Sequence, residues 1–322
     1  MPVGMHASGK NALEVIFTVL HAGGKFTSEG GYKTAGGLHG VGASVVNALS
    51  SWLEVEVASD GQLYKMRFEN GGKKVGKLEN LGKTNRHGSK VTFMPDKKIF
   101  STTDFHFDRV CERAQEKSFL LSGITMQVED LRHNKKEVYC YEDGLIAFLD
   151  YLHEDRTTLM PPVKFSGSSN DINVEVAFQY TDDYQENTYS FVNLVRTSDG
   201  GTHEVGFKTA LTKVVNDYAR KYGLLKEKDK NLEGSDVREG LTSIITVTIP
   251  ENLLQFEGQT KGKLGTPQAK TAVENVVVQQ VSFYFEENRE LATSLVKKMQ
   301  KAYLAREAAR KAREEARKGK KA

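Results

Sequence analysis

Gly36-Gly37-Leu38-His39-Gly40-Val41-Gly42 is a glycine-rich stretch that leads directly into a helical pattern. Glycine adopts positive φ without strain and lets a ligand approach the backbone without meeting a Cβ atom. The start of a helix adds unpaired amide groups and the positive end of the helix dipole. Together these features predict a loop that binds phosphate, and the alternative is a plain flexible turn.

Two familiar phosphate-binding patterns fit this sequence poorly. The dinucleotide fingerprint needs a buried strand directly before its glycines, whereas Tyr32-Lys33-Thr34-Ala35 is short and polar. The residues from Gly4 to Lys10 have the spacing of a P-loop, but Asn11 replaces the Ser or Thr whose hydroxyl reaches magnesium. The glycine-rich stretch therefore indicates a different kind of nucleotide site.

A second loop signal lies just upstream, in Leu20-His21-Ala22-Gly23-Gly24-Lys25-Phe26. Its simple interpretation is a helix that ends at a glycine pair and exposes a lysine. Its functional interpretation is a loop that reaches a nucleotide, and the nearby glycine-rich stretch favours this interpretation. Residues 27–34, between the two loops, are small and polar, which is typical of a lid.

The composition predicts an ordinary soluble globular protein, with 39% hydrophobic and 27% charged residues. Cys111 and Cys140 are far apart, and the histidines lack metal-ligand spacing, so neither a disulfide framework nor a zinc site is expected. This cysteine usage fits a reducing cytoplasm. The sequence shows no secretory signal and no apolar run of about 20 residues that could cross a membrane.

Hydrophobic spacing predicts both helices and strands along the chain. In the first half, we expect helices near residues 13–20, 45–52, 105–121 and 145–152, and strands near 53–57, 64–68 and 91–93. Met160-Pro161-Pro162 has the composition of a linker. Beyond it, we expect strands at 172–180, 189–195 and 241–249, a helix at 211–222, and a helical C-terminal segment. A helix between two of these strands implies a crossover connection.

Several motifs occur in the order found in one protein family. They are residues 20–26, 32–42, 47–50, 199–204, 236–241 and 259–264. With them the chain resembles the B subunit of type IIA DNA topoisomerases, a family that includes the gyrase and topoisomerase IV subunits. Two segments resemble the topoisomerase IV sequence more closely than the gyrase sequence: Gly4-Met5-His6-Ala7 and Ser51-Trp52-Leu53-Glu54-Val55.

The resemblance implies an α+β fold with two domains. Residues 1–152 would be a GHKL (Bergerat) ATPase domain that lacks its N-terminal part. Residues 153–322 would be a ribosomal-protein-S5-like transducer domain that ends in a long basic helix. Both ends of the sequence then look truncated relative to the family.

The resemblance also implies which residues bind ATP. The lid would wrap the triphosphate with amides of Gly37, Leu38, His39, Gly40, Val41 and Gly42, with Tyr32 close by. Gly23, Gly24 and Lys25 would line the other side of the nucleotide. Ser89 replaces a threonine at the base of the adenine pocket, and Gln259 and Lys261 would reach the γ-phosphate. Since ADP lacks that phosphate, the last contact would exist only with ATP.

The family's general-base glutamate and its Mg²⁺-binding asparagine have no counterpart in this sequence, because both precede the Met-Pro-Val that opens it. We therefore expect no catalytic residue and no metal ligand within the chain, and negligible ATP hydrolysis by the chain alone in a steady-state assay. ATP and Mg²⁺ are the implied cofactors. DNA, a second B subunit and an A subunit that carries the DNA-cleaving tyrosine are the implied partners.

The C-terminal segment from Arg306 contains eight basic and three acidic residues. It is either an exposed helical connection, with Glu307–Lys311 and Glu314–Lys318 pairs along it, or a basic helix that contacts DNA. Alternatives for the whole chain are a gyrase B subunit that supports negative supercoiling and another GHKL ATPase, of the chaperone or mismatch-repair type. Residues 200–203 and 259–261 argue against the latter. A nucleic-acid scaffold without enzymatic activity has only the basic segment in its favour.

Overall fold

The central strand of the N-terminal sheet is β1 (Ser50–Ser59) in the computed structural model, which describes residues 1–22, 40–258 and 260–318. Leu53, Val55 and Val57 point to one face of this strand and are buried. Asp60 and Gly61, both at positive φ, turn the chain into β2 (Gln62–Glu69), whose register starts at Ser59 opposite Gln62. This tight turn joins the two strands predicted near 53–57 and 64–68 in a hairpin.

Three more strands complete this antiparallel sheet: β3 (Lys74–Val75), β4 (Glu79–Lys83) and β5 (Gly88–Pro95). The order is β3-β2-β1-β5, and β4 also pairs with β2. Two short helices accompany the sheet, α1 (Ala12–Thr18) and α2 (Gly42–Ala48). Leu13 and Phe17 of α1 pack with the buried residues of β1 and β2 in one core.

Residues 1–106 form one compact unit and residues 107–322 form another. The second unit starts with α3 (Phe107–Leu120), the hairpin β6 (Met126–Asp130) and β7 (Lys135–Tyr139), and α4 (Gly144–Leu152). Phe119 and Phe148 pack in the same core as Ala177 and Ile244. The division after residue 152 concerns functional domains and stays a prediction.

The main sheet of the second unit has the order β11-β10-β12-β9-β8. Its strands are β8 (Val163–Ser169), β9 (Ile172–Tyr180), β10 (Asn187–Val192), β11 (Val195–Arg196) and β12 (Leu241–Thr248). Between β10 and β12 the chain forms α5 (Thr202–Lys221) and the single turn α6 (Gly234–Val237). Because β10 and β12 pair in parallel, the predicted crossover is confirmed.

The remaining elements are a small hairpin and two long helices. They are β13 (Phe256–Glu257), β14 (Lys263–Leu264), α7 (Pro267–Glu287) and α8 (Arg289–Lys318). Helix α5 packs closely on α7, since a Cβ atom at Gly206 would lie 2.5 Å from the carbonyl oxygen of Lys270. The predicted α+β class and long C-terminal helix are confirmed. Among the described residues, no helix combines the length and apolar character needed to span a membrane.

Helix α8 is basic but pairs its charges differently from the prediction. Glu307 and Glu314 both bind Arg310, at 2.9 and 2.8 Å, instead of Lys311 and Lys318. The predicted pairs were wrong because Arg310 lies between the two glutamates and its guanidinium reaches both. Arg306 is also occupied, because it binds the buried Asp236.

Candidate functional site

The predicted site residues fall into two groups. Gly23, Gly24, Lys25, Tyr32, Gly37, Leu38, His39 and Gln259 lie outside the described residues. Gly40, Val41, Gly42 and Ser89 belong to the first unit, and Lys261 belongs to the second. The convergence of both groups on one triphosphate stays a prediction.

Helix α2 begins at Gly42, where the sequence predicted a helix start. Gly40 adopts φ 56°, a left-handed conformation that glycine tolerates best. Val41 is the N-cap and no side chain of the described residues caps the first turn, which contains no acidic residue. The amide groups of this turn can therefore donate to an anion.

Asn47 fixes α2 within the first unit. Its side-chain amide donates to the carbonyl oxygen of Phe17 at 2.9 Å, and the residue is 1% exposed. Gly72 approaches the same side chain so closely that a Cβ atom there would lie 2.5 Å from Nδ2 of Asn47. The Asn47-Ala48-Leu49-Ser50 motif thus orients the helix that follows the glycine-rich stretch.

Ser89 lies near the start of β5, directly after Gly88 at φ 123°. It pairs with Val57 of β1 in the register, and its side chain is exposed. Seven of the eight residues of strand β5 are exposed, which is unusual for a strand of this sheet. Phe93 and Phe105 of the first unit pack edge to face beside an apolar groove that Val46 and Phe100 also line.

Lys261 lies in the turn between β13 and β14, and it adopts φ 56°. A left-handed conformation is unfavourable for a long side chain and costs on the order of 1–3 kcal/mol. Such strain persists only where surrounding contacts impose it, and it occurs most often at functional sites. The neighbouring Lys263 is exposed and paired with Glu257 at 2.8 Å, and the hydrogen bond with Glu257 raises the pKa of Lys263.

The Asp199-Gly200-Gly201-Thr202-His203-Glu204 motif contacts the Lys261 hairpin directly. The amide of Asp199 donates to the carbonyl oxygen of Gly262 at 2.9 Å, and the amide of Leu264 donates to that of Gly200 at 3.0 Å. Gly201 forms a parallel bridge with Leu264. Two motifs that the sequence analysis named separately are therefore one structural unit.

His203 is fully buried below this contact. Its Nε2 atom lies 2.9 Å from Thr197 Oγ1, which in turn contacts Ser190 Oγ at 2.6 Å. Its Nδ1 atom has no hydrogen-bond partner in the described structure. Burial lowers the pKa of His203 to about 3, so the imidazole is neutral at physiological pH.

The Asp236-Val237-Arg238-Glu239-Gly240-Leu241 motif anchors helix α8. Asp236 is 2% exposed and accepts two hydrogen bonds from Arg306, at 2.8 and 3.1 Å. It also accepts from the amide of Glu233 in a capping box. The sequence analysis gave this motif no role, and the separation of 70 residues between Asp236 and Arg306 left no local signal for the pair.

A magnesium site is not evident within the described ranges, where no three His, Cys, Asp or Glu side chains cluster as a metal would require. The groups that the predicted site residues can offer to an anion are the backbone amides at the start of α2 and the ammonium group of a lysine.

Comparisons with known proteins agree with the geometry. A family model for DNA gyrase B matches residues 144–315, more than half of the chain. The chain is 62% identical to the B subunit of DNA topoisomerase 4 from Enterococcus faecalis, over 95% of this chain and 45% of that protein. It is 60% identical to the corresponding protein of Bacillus subtilis, over 100% of this chain and 49% of that protein. The chain thus spans about half the length of the curated relatives it matches.

Among solved structures, the 43K ATPase domain of Thermus thermophilus gyrase B is 37% identical, with a TM-score of 0.78, over 97% of this chain and 80% of that one. The fold therefore places the chain in the class of gyrase-type ATPase domains. With the matching family model, these values show that the chain belongs to the DNA gyrase B family.

Proposed function

We propose that the chain is the ATP-binding and energy-transducing part of a type IIA DNA topoisomerase, an ATP-hydrolysing isomerase that passes one DNA duplex through another. The observation that carries this proposal is the Lys261 hairpin. A lysine is held in a strained conformation by a family motif, in a chain about 60% identical to the B subunits of topoisomerase 4.

The proposed chemistry divides between the two units. Amides at the start of α2, with the preceding glycines, bind the phosphates of ATP. The ammonium group of Lys261 is a compact charge suited to a terminal phosphate, and it binds the γ-phosphate. Because ADP lacks this group, the Lys261 contact distinguishes ATP from ADP and can change the relation between the two units.

The remaining assignments follow from the same family membership. We propose that Mg²⁺ accompanies the bound ATP and neutralises its phosphate charge. We propose DNA, a second B subunit and an A subunit with the DNA-cleaving tyrosine as partners, in a bacterial cytoplasm. The ATP-dependent step is the closing of a gate between two B subunits.

Decatenation and relaxation are favoured over gyrase-type supercoiling. The curated relatives at 62% and 60% identity are B subunits of topoisomerase 4, and this similarity supports the preference. A GHKL ATPase of the chaperone or mismatch-repair type is disfavoured by the match to DNA gyrase B over residues 144–315.

The decisive experiment compares the binding of ADP and of a non-hydrolysable ATP analogue by calorimetry with Mg²⁺. We expect Lys261→Met to weaken binding of the ATP analogue about tenfold to a hundredfold, since one charge-assisted hydrogen bond is lost. Binding of ADP should not change. Lys263→Met is the matched control, because this neighbouring lysine is exposed and paired with Glu257.

Equal affinity of the wild-type chain for the two nucleotides would contradict the proposal. So would a Lys261→Met variant that keeps the preference for the ATP analogue. An equal loss in the Lys263→Met variant would show that general positive charge, and not the Lys261 contact, attracts the triphosphate.

A further inference from the structure

We infer that residues 199–202 position Lys261 for the terminal phosphate by holding strand β14 against the start of helix α5. This inference rests on the proposed function of Lys261. It assigns residues 199–202 the role of positioning residues, which act on the nucleotide through the hairpin. We call the contact between residues 199–202 and residues 262–266 the clasp.

Backbone hydrogen bonds form the centre of the clasp. They run in both directions, from the amide of Asp199 to the carbonyl oxygen of Gly262 and from the amide of Leu264 to that of Gly200. The two bonded residues of the hairpin, Gly262 and Leu264, follow Lys261 by one and three residues. They therefore limit the conformations of the turn and impose the positive φ of Lys261.

Gly201 permits this close approach. A Cβ atom at Gly201 would lie 2.5 Å from the carbonyl oxygen and 2.6 Å from the amide nitrogen of Leu264. Its φ of 143° is also outside the range of residues with a side chain. Both atoms that it would meet belong to the backbone, so a side-chain rotation cannot relieve the overlap.

Two threonines secure the base of the hairpin. The hydroxyl of Thr202 donates to the carbonyl oxygen of Thr266 at 2.7 Å. The buried hydroxyl of Thr266 accepts from the amide of Gln255 and donates to the carbonyl oxygen of Leu253, both at 2.9 Å. The clasp therefore fixes the segment that follows the Lys261 turn, and Thr266 links that segment to residues 253–255, which lead into the turn.

The clasp joins the Lys261 turn to helix α5, because Thr202 is the first residue of that helix. Helix α5 in turn packs on α7 at Gly206 and Lys270. A pull on Lys261 by a phosphate is thus transmitted through backbone contacts to two long helices. A hairpin attached only through its own ends would move without them.

The test uses the full chain with Gly201→Ala, and with Gly223→Ala as control. Gly223 also has a positive φ, of 70°, but no atom lies within 4 Å of the position of its added Cβ. We expect Gly201→Ala to lose the preference for the ATP analogue over ADP to the extent of Lys261→Met, about tenfold or more. ADP affinity should stay unchanged, and the double variant should lose no more than either single variant.

Hydrogen exchange without nucleotide tests the clasp separately. In Gly201→Ala the amide of Leu264 should exchange about tenfold faster or more, relative to the Ile245 amide of β12, and Gly223→Ala should leave this ratio unchanged. Thr202→Val, a milder change, should raise the ratio in the same direction. An unchanged ratio in both variants would overturn the clasp, even if one of them were unstable.

The outcomes separate the two proposals. A Lys261→Met variant without effect on nucleotide preference overturns the proposed function of Lys261, whatever hydrogen exchange shows. If Lys261→Met abolishes the preference while Gly201→Ala retains it, the positioning role of the clasp is wrong and the function of Lys261 stands.

Discussion

Gly42 and Gly201 both lie at the start of a helix in a glycine-rich motif, yet they have opposite surroundings. At Gly42, no atom of the described residues lies within 4 Å of where a Cβ would be. At Gly201 the same position is filled by the backbone of Leu264. Among the described residues, the Cβ position at Gly42 is open, whereas at Gly201 the chain fills it with its own strand. The same residue type can therefore indicate a ligand site or a close backbone contact.

Alanine at these two glycines should change stability in opposite directions. Gly201→Ala combines backbone strain with overpacking and should cost about 3 kcal/mol or more in unfolding free energy. Gly42→Ala removes a flexible residue from a helix and should change stability by less than about 1 kcal/mol, towards stabilisation. Urea unfolding measures both effects, with Trp52 fluorescence as a probe of the first unit. Similar losses in the two variants would refute the comparison.

Helix α8 is also held by a close contact within the second unit, the ion pair between Arg306 and Asp236. Arg306→Met would leave the buried Asp236 without its ionic partner, and we expect a loss of about 3 kcal/mol. Arg310→Met is the matched control on the same helix, because neither of the glutamates that Arg310 binds is buried. It should cost less than about 1 kcal/mol in the same urea titration. Equal losses would mean that the Asp236 pair does not anchor the helix.

His203 should make the second unit sensitive to acid. Its folded pKa of about 3 lies below the ordinary value of 6.5, so the unfolded chain binds a proton first as the pH falls. The stability that His203 contributes is complete above pH 6.5 and declines between pH 6.5 and 3, by up to about 1.4 kcal/mol per pH unit. His203→Gln should flatten this dependence in unfolding measurements at several pH values. A slope equal to that of the wild type would contradict the burial of a neutral imidazole.

The smallest effect on stability is expected at Ser89, which lies in the same unit as Gly42. Because its side chain is exposed on β5, Ser89→Ala should change unfolding free energy by less than about 0.5 kcal/mol. Binding of ADP should nevertheless weaken, since a hydroxyl at the proposed adenine pocket is lost. Ser89→Thr keeps the hydroxyl and should retain affinity. A stability loss without a change in ADP affinity would remove Ser89 from the site.

Local patterns predicted many of the elements, but helix α5 begins at Thr202 and not near 211, and residues 50–52, predicted as helix, belong to β1. Strands β6, β7 and β8 were not predicted. The alternation of Leu53, Val55 and Val57 gave β1, and the glycine before Ala43 gave the first residue of α2, because both depend on neighbours in sequence. The start of α6 within the charged segment 226–236 was missed, since one turn has no periodicity to detect.

The sequence named candidate site residues but not the contacts between their motifs. The sequence named residues 199–204 and 259–264 as separate motifs, and their pairing depends on a long-range register that no local pattern encodes. The positive φ of Lys261 likewise has no signature in the sequence of its own turn. Two adjacent glycines before a helix were the one available sign of the close approach at Gly201.

The ion pair between Arg306 and Asp236 holds helix α8 at one point along its length, and this point would act as a fulcrum if the helix tilted. At 1.5 Å per residue, the segment from Arg306 to Lys318 extends about 18 Å beyond that point. A tilt of about 10° at the fulcrum would displace its far end by about 3 Å, the distance that a hydrogen bond spans. A small tilt of α8 about the Arg306–Asp236 pair would thus displace the end of the helix far enough to make or break a contact there.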